Sequence, residues 1–297
     1  MIIFYFLVAI LFNVVQGIVN KTASIRLKSS KDYTLLILYR MMVSFFISVV
    51  VSLFSLNAYC AVNGRMFLYA GLFAGSFILN IYCNLYAVQR GTIVLYNVFN
   101  LSGMFLPCVY SWLFLYEPFG PWKLGGILLL LIGMAVSCLY NSCQMGKLRF
   151  GTLVCCILGC LSNGAVMTVQ KVFAVYEIGQ SVTVFNAVAF GICTLIMLFI
   201  VLALCIARYK SELPPQPFAY GSLWLPILVL GGTVFILSQT MTILAGMVNA
   251  SLLYPTVTGC ALAVLAVVSA FIFKEKLRIS SFVSIGFTIA GIVFLNI

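Results

Sequence analysis

The stretch Tyr116-Glu117-Pro118-Phe119-Gly120-Pro121-Trp122-Lys123-Leu124-Gly125-Gly126 runs into an apolar segment with Gly133, and the chain writes a version of it twice. Near the C-terminus, Phe273-Lys274-Glu275-Lys276-Leu277-Arg278 runs into a second apolar segment carrying Gly286 and Gly291. A shift of 158 residues (275 − 117) pairs Glu117 with Glu275, and without a gap it also pairs Gly133 with Gly291, Tyr96 with Tyr254, Ala87 with Ala245 and Asn100 with Thr258. A shift of 150 (163 − 13) aligns the starts of the two halves, matching Asn13 to Asn163 and Lys21 to Lys171. The chain is an internal repeat, and weak internal symmetry of this kind is a mark of membrane transporters.

The composition says what solvent the repeats live in. Of 297 residues, 64% are apolar and 7% charged, against roughly 45–50% and 25% in soluble domains. A water-exposed surface cannot be built from that. Cutting at charges and turn residues leaves apolar stretches at 2–20, 33–55, 66–88, 92–115 and 122–140, then 151–172, 182–207, 223–245, 250–273 and 281–296. Each is near the roughly 20 residues needed to cross a bilayer as a helix. The expected fold is an all-α integral membrane protein of ten transmembrane helices, with a first five-helix repeat at 1–140 and a second at 151–297. An odd count per half makes the second half enter the membrane from the opposite side, so the repeats are expected to be inverted. The first segment has no basic residues before it and no small-residue cleavage site, so it reads as a membrane helix, not a signal peptide. The longest connection, 208–222, carries Pro214, Pro215 and Pro217 and is too short to fold alone.

Several function classes lose their residues at this point. Histidine is absent, removing the commonest metal ligand and general base. The eleven cysteines lie mostly inside apolar segments, as Cys155, Cys156 and Cys160 do, and read as small core residues. No Asp or Glu falls in the middle of a span, whereas proton-coupled pumps usually need one there. No metal, no cofactor and no enzymatic constellation is expected. The net charge of +11 reports loops facing anionic lipid, so the expected partners are the bilayer and a small-molecule substrate, with no nucleic acid.

The two closing stretches resemble the drug/metabolite transporter superfamily, EamA-type branch. There each repeat ends in an acidic loop residue and a final helix with glycines seven apart, as Gly126 and Gly133 are here. Asn84-Leu85-Tyr86-Ala87-Val88-Gln89-Arg90-Gly91-Thr92 is similar to that family's junction between third and fourth helices, and Tyr254-Pro255 falls where its ninth helix carries proline. Ser284 in place of a closing glycine and Asn97 in place of a proline depart from the pattern. The resemblance implies a ten-helix exporter or exchanger of small metabolites, in the cell membrane, working by alternating access.

The polar residues inside the spans recur at matched positions. Asn80 and Asn84 share a face of the third span, and their equivalents Ser238 and Thr242 share a face of the eighth. Tyr96 and Asn100 do so on the fourth, matched by Tyr254 and Thr258 on the ninth. With Asn13, Gln16 and Asn163 on the first and sixth, and Asn97 beside Tyr96, they form the candidate substrate-binding set. The resemblance implies that these spans surround the cavity; the competing reading is hydrogen bonding between helices. Closing glycines and Glu117 and Glu275 read as packing, capping or gating elements; Arg40, about eight residues inside the second span, reads first as a structural charge, with a lipid headgroup, the carbonyls of a neighbouring helix or an anionic group of the substrate as its candidate partners. The expected activity is transport of a small polar or amphipathic solute such as an amino acid; the alternative is a non-transporting receptor or lipid-handling enzyme.

Orientation has two readings. Lys21, Arg26, Lys28, Lys31, Arg90, Lys147, Arg149, Arg208, Lys210, Lys274, Lys276 and Arg278 lie on one side, against Arg65, Lys123 and Lys171 on the other. Basic loops stay in the cytoplasm, which puts both termini outside. The family resemblance implies both inside.

Overall fold

A computed structural model describes residues 1–26, 30–54, 62–90, 99–100, 102–118, 120–126, 128–129, 132, 150–210, 220–273, 283, 286–287, 289–291 and 293–294. The described residues are helical, without a strand: α1 (Ile2–Arg26), α2 (Ser30–Leu53), α3 (Gly64–Arg90), α4 (Phe105–Phe114), α5 (Phe150–Tyr176), α6 (Val182–Lys210), α7 (Tyr220–Met247) and α8 (Ala250–Phe273). Only helices satisfy every backbone donor and acceptor internally in hydrocarbon without closing a barrel, so runs this apolar have no other stable form there. Six of these helices are long and apolar enough to cross a membrane: α1, α2, α3, α5, α6 and α7. The protein is thus an all-α membrane protein. The expected spans 122–140 and 281–296, and the start of 92–115, fall largely outside the described residues.

Packing follows the buried faces. α3 lies against α5 and α6, α2 against α6 and α7, α1 against α7 and α8, and α4 against α5. One cluster joins Met41, Phe73, Phe173, Phe185, Phe190 and Phe235 from five helices, with the Phe173 and Phe185 rings stacked at 4.0 Å. A second joins Ala9, Met104, Met167, Met241, Leu244 and Tyr254. The lipid-facing sides carry the opposite pattern, for example Phe67, Leu68 and Leu72, all exposed on α3.

Two of the glycines singled out from the repeat, Gly125 and Gly286, make no tight crossing among the described residues. Among the described residues nothing lies within 4 Å of a Cβ placed on Gly286, and one on Gly125 makes ordinary contact with Phe294 at 3.5 Å. The close approach is at Gly164 on α5. A Cβ there would sit 2.5 Å from the Gly103 carbonyl oxygen and 2.7 Å from Leu106 Cβ. Gly231 on α7 is similar, with Val43 Cγ1 at 2.5 Å, and Ser44 Oγ donates to the Gly231 carbonyl at 2.9 Å. Small residues bring backbones together where no hydrophobic effect drives association.

Gly164→Ala should therefore lower thermal stability in detergent, by about 1–3 kcal/mol, the usual cost of overpacking. Gly71→Ala and Gly75→Ala, where nothing lies within 4 Å, should be neutral or stabilising by up to about 1 kcal/mol. Equal loss at all three positions contradicts the assigned crossing.

Candidate functional site

Helix α1 places its polar residues by simple rotation. At about 100° per residue, Asn13, Gln16 and Asn20 fall within one narrow stripe, and that stripe also holds Ala9 and Ala23, both buried. Phe4, Leu7 and Leu11, on the opposite side, are exposed. The amide stripe thus looks into the bundle and the apolar one toward lipid. Asn13 and Gln16 are nevertheless only half-buried, and neither has a hydrogen bond to another described residue. On α3 the stripe Met66, Phe73, Phe77, Asn80 and Asn84 turns inward in the same way, and Asn84 at its end is half-buried without such a bond.

Asn80 is differently placed. Its Nδ2 donates to Asn100 Oδ1 at 2.7 Å and to the Gly159 carbonyl at 2.9 Å. Asn163 Nδ2 donates to the Asn100 carbonyl at 2.8 Å. These three expected site residues are brought together, and they join α3, the segment before α4, and α5. The amides are spent largely on one another, which is the helix-bonding reading of them.

The remaining expected residues on α7 and α8 are sealed in. Tyr254 is fully buried and its hydroxyl donates to the Met167 carbonyl at 2.7 Å. Thr258 Oγ1 bonds back to the Tyr254 carbonyl at 2.6 Å and lies 3.3 Å from Met104 Sδ. Thr242 Oγ1 bonds the Ser238 carbonyl one turn back at 2.8 Å. Ser238 Oγ donates to Asn186 Oδ1 at 2.8 Å, Gln170 Nε2 donates to Ser238 Oγ at 3.2 Å, and Asn186 Nδ2 donates to Gln239 Oε1 at 2.7 Å. Tyr96 and Asn97 lie outside the described residues.

One end of the bundle is closed by charge. Lys171 Nζ pairs with Glu117 Oε1 at 2.9 Å and donates to the Ala245 and Val248 carbonyls, each at 2.9 Å. Glu117 Oε2 accepts from the Ala250 amide at 2.9 Å, at the start of α8. Its side chain is 14% exposed and that of Lys171 4%. The capping role expected for Glu117 appears, but on α8, not on the helix that follows it in sequence. At the same end Asn63, ahead of α3, donates to Glu177, beyond α5, at 2.9 Å.

Sequence reasoning missed Gln170, Asn186 and Gln239. An amide inside the apolar run of α6 was the available signal for Asn186, and Gln170 is the 150-shift equivalent of Asn20 (170 − 20). It also counted Lys171 as a loop charge, whereas the ion pair neutralises it inside the protein. A last difference concerns the helices themselves: α5 and α7 pack against each other, while their repeat equivalents α1 and α3 make no comparable contact.

No family model matches this chain, and neither does any curated protein. A crystal structure of a protein of no stated activity is similar in fold, with a TM-score of 0.67 at 15% identity over 98% of this chain and 94% of the other. At that identity the likeness concerns the fold alone.

The amides separate into two kinds by experiment. Gln16→Ala and Asn84→Ala should leave thermal stability within about 0.5 kcal/mol, as surface changes do. Asn80→Ala and Tyr254→Phe remove partners of buried carbonyls and should each cost about 1–3 kcal/mol. Thermal unfolding of the four purified variants decides it, and equal losses in all four would remove the distinction.

Proposed function

We propose that the protein is a membrane transporter that moves a small polar or amphipathic solute by alternating access between two inverted five-helix repeats. One observation carries the reading: matched helices are packed differently. α5 and α7 meet through Gln170 and Ser238 and through Lys171 and the α7 C-terminus, whereas α1 and α3, their equivalents under the repeat, make no comparable contact among the described residues. The amides Asn13, Gln16 and Asn84, without a hydrogen-bond partner among the described residues, lie on the inward stripes of those two helices. An amide in hydrocarbon without a partner is costly, so these side chains belong to a watered space between the halves.

A two-fold relation between the halves has support from the remaining packing, and the five spans expected in each half make that relation an inversion. Exchanging α1 with α5, α2 with α6, α3 with α7 and α4 with α8 converts the α3–α5 contact into α7–α1, α2–α7 into α6–α3, and α1–α8 into α5–α4. All of these pairs are in contact. A chain whose halves are related this way can trade a sealed end for an open one by rocking, with the site near the middle. In this conformation the Glu117 end is closed by its ion pair with Lys171, and Asn20 and Asn84 lie at the opposite end. With the basic loops in the cytoplasm, the end closed by Glu117 faces outward.

Purified protein in liposomes should exchange an internal solute for an external one across a panel of amino acids and related metabolites, and empty liposomes should not. Failure to move any solute, by a folded and reconstituted protein, defeats the proposal. Glu117→Gln should destabilise the sealed end, because it leaves the Lys171 ammonium buried without its counter-ion at a cost of about 3–5 kcal/mol. Exchange by that variant should fall, with labelling at a cysteine placed beside Ser251 rising as this end opens. Unchanged labelling together with unchanged exchange would remove the ion pair from the transport cycle.

A further inference from the structure

Arg40 is a second buried cation, and it lacks what Lys171 has. It stands eight residues into the apolar span Asp32–Leu53 (40 − 32), about 12 Å along the axis. The residue is 6% exposed. Its Nη1 donates to the neutral amide oxygen of Asn20 at 3.4 Å, and its Nε has no partner. Among the described residues no carboxylate is within ion-pair reach of it: Glu117 holds Lys171, Glu177 is bonded to Asn63, and Asp32 is two helical turns away on the same helix.

A guanidinium buried with one long bond to an amide is an expensive arrangement unless something else completes it. Asn20 is the last member of the α1 stripe that begins with Asn13 and Gln16, so Arg40 stands at the head of that row, whose first two amides have no partner among the described residues. We infer that Arg40 receives the carboxylate group of the transported solute, with Asn20 beside it and the amides of Gln16 and Asn13 meeting the rest of the molecule. The guanidinium fork matches a carboxylate with two parallel hydrogen bonds, and the free Nε is one prong of that fork. The inference rests on the transporter reading and narrows it to solutes with a free carboxylate, zwitterionic amino acids included.

The test uses the full chain in detergent and in liposomes. The probes are amino acids and short-chain monocarboxylates, each paired with its uncharged amide, with sodium chloride and inorganic phosphate as anion controls. At least one acid should raise the melting temperature of the native protein while its amide does not. Arg40→Gln should lose that acid's effect and raise its KM for exchange by about tenfold or more. Without solute, Arg40→Gln should be as stable as the native protein or more so, because an uncompensated charge has been removed; a structural arginine would behave oppositely. Arg40→Lys keeps the charge without the fork and should fall between.

Four results overturn the assignment: amides binding as well as acids, chloride or phosphate acting as well as any carboxylate, no acid in the panel stabilising the native protein, or a lower melting temperature in solute-free Arg40→Gln and Arg40→Lys. An acid that binds through Arg40 but is never exchanged supports the site and defeats the transporter reading. Exchange of neutral solutes that is indifferent to Arg40→Gln does the reverse.

Discussion

An ammonium group held in a membrane protein at 4% exposure must be compensated, and the way Lys171 meets that requirement organises one end of this molecule. Its proton donors reach the Glu117 carboxylate and two carbonyls at the end of α7, and the carboxylate in turn accepts from the first amide of α8. Four segments are therefore drawn to one point: the loop after α4, the last turns of α5, the end of α7 and the start of α8. Residues that merely fill space elsewhere become fixed by this. Met167, Leu244 and Tyr254 pack directly beneath it, and the Tyr254 hydroxyl spends its proton on the α5 backbone.

The two ends of the repeat are sealed, when sealed, by different chemistry. Beneath the ion pair, Gln170, Ser238, Asn186 and Gln239 bind one another across α5, α6 and α7. Their equivalents in the first half are Asn20, Asn80, Leu36 and Ile81, from shifts of 150 and 158. Two apolar side chains stand where two amides are needed, so the same network cannot form between α1, α2 and α3. Asn20 turns to Arg40 and Asn80 to Asn100. The matched interfaces of the two halves therefore differ in strength, the second being held by side-chain hydrogen bonds that the first cannot make.

Much of the architecture was legible in the chain. A composition of 64% apolar residues requires lipid as solvent, and lipid requires helices. Helical rotation alone places Asn13 and Gln16 on one inward stripe of α1 and Asn80 and Asn84 on one of α3, because apolar residues of lipid-facing size occupy the opposite sides. Roles within those stripes were less legible. Tyr254 and Thr258 read as cavity residues by repeat matching, yet α8 packs against α1, α4 and α7, and with the Tyr254 hydroxyl bonded to the Met167 carbonyl both are buried and satisfied. Gly103 and Gly164 stand 61 positions apart (164 − 103) with no sequence pattern joining them.

By itself, then, the sequence determined the solvent, the helices and which face of each looks inward, since these depend on local composition and a period of 3.6 residues. Only the tertiary structure decided the partners: that Lys171 meets Glu117 and not a headgroup, that Asn100 is shared by Asn80 and Asn163, and that α5 touches α7 while α1 stays away from α3. Partner choice depends on how helices distant in the chain cross, and on small differences in free energy between alternative packings of the same faces. Neither quantity is carried by any one stretch of residues.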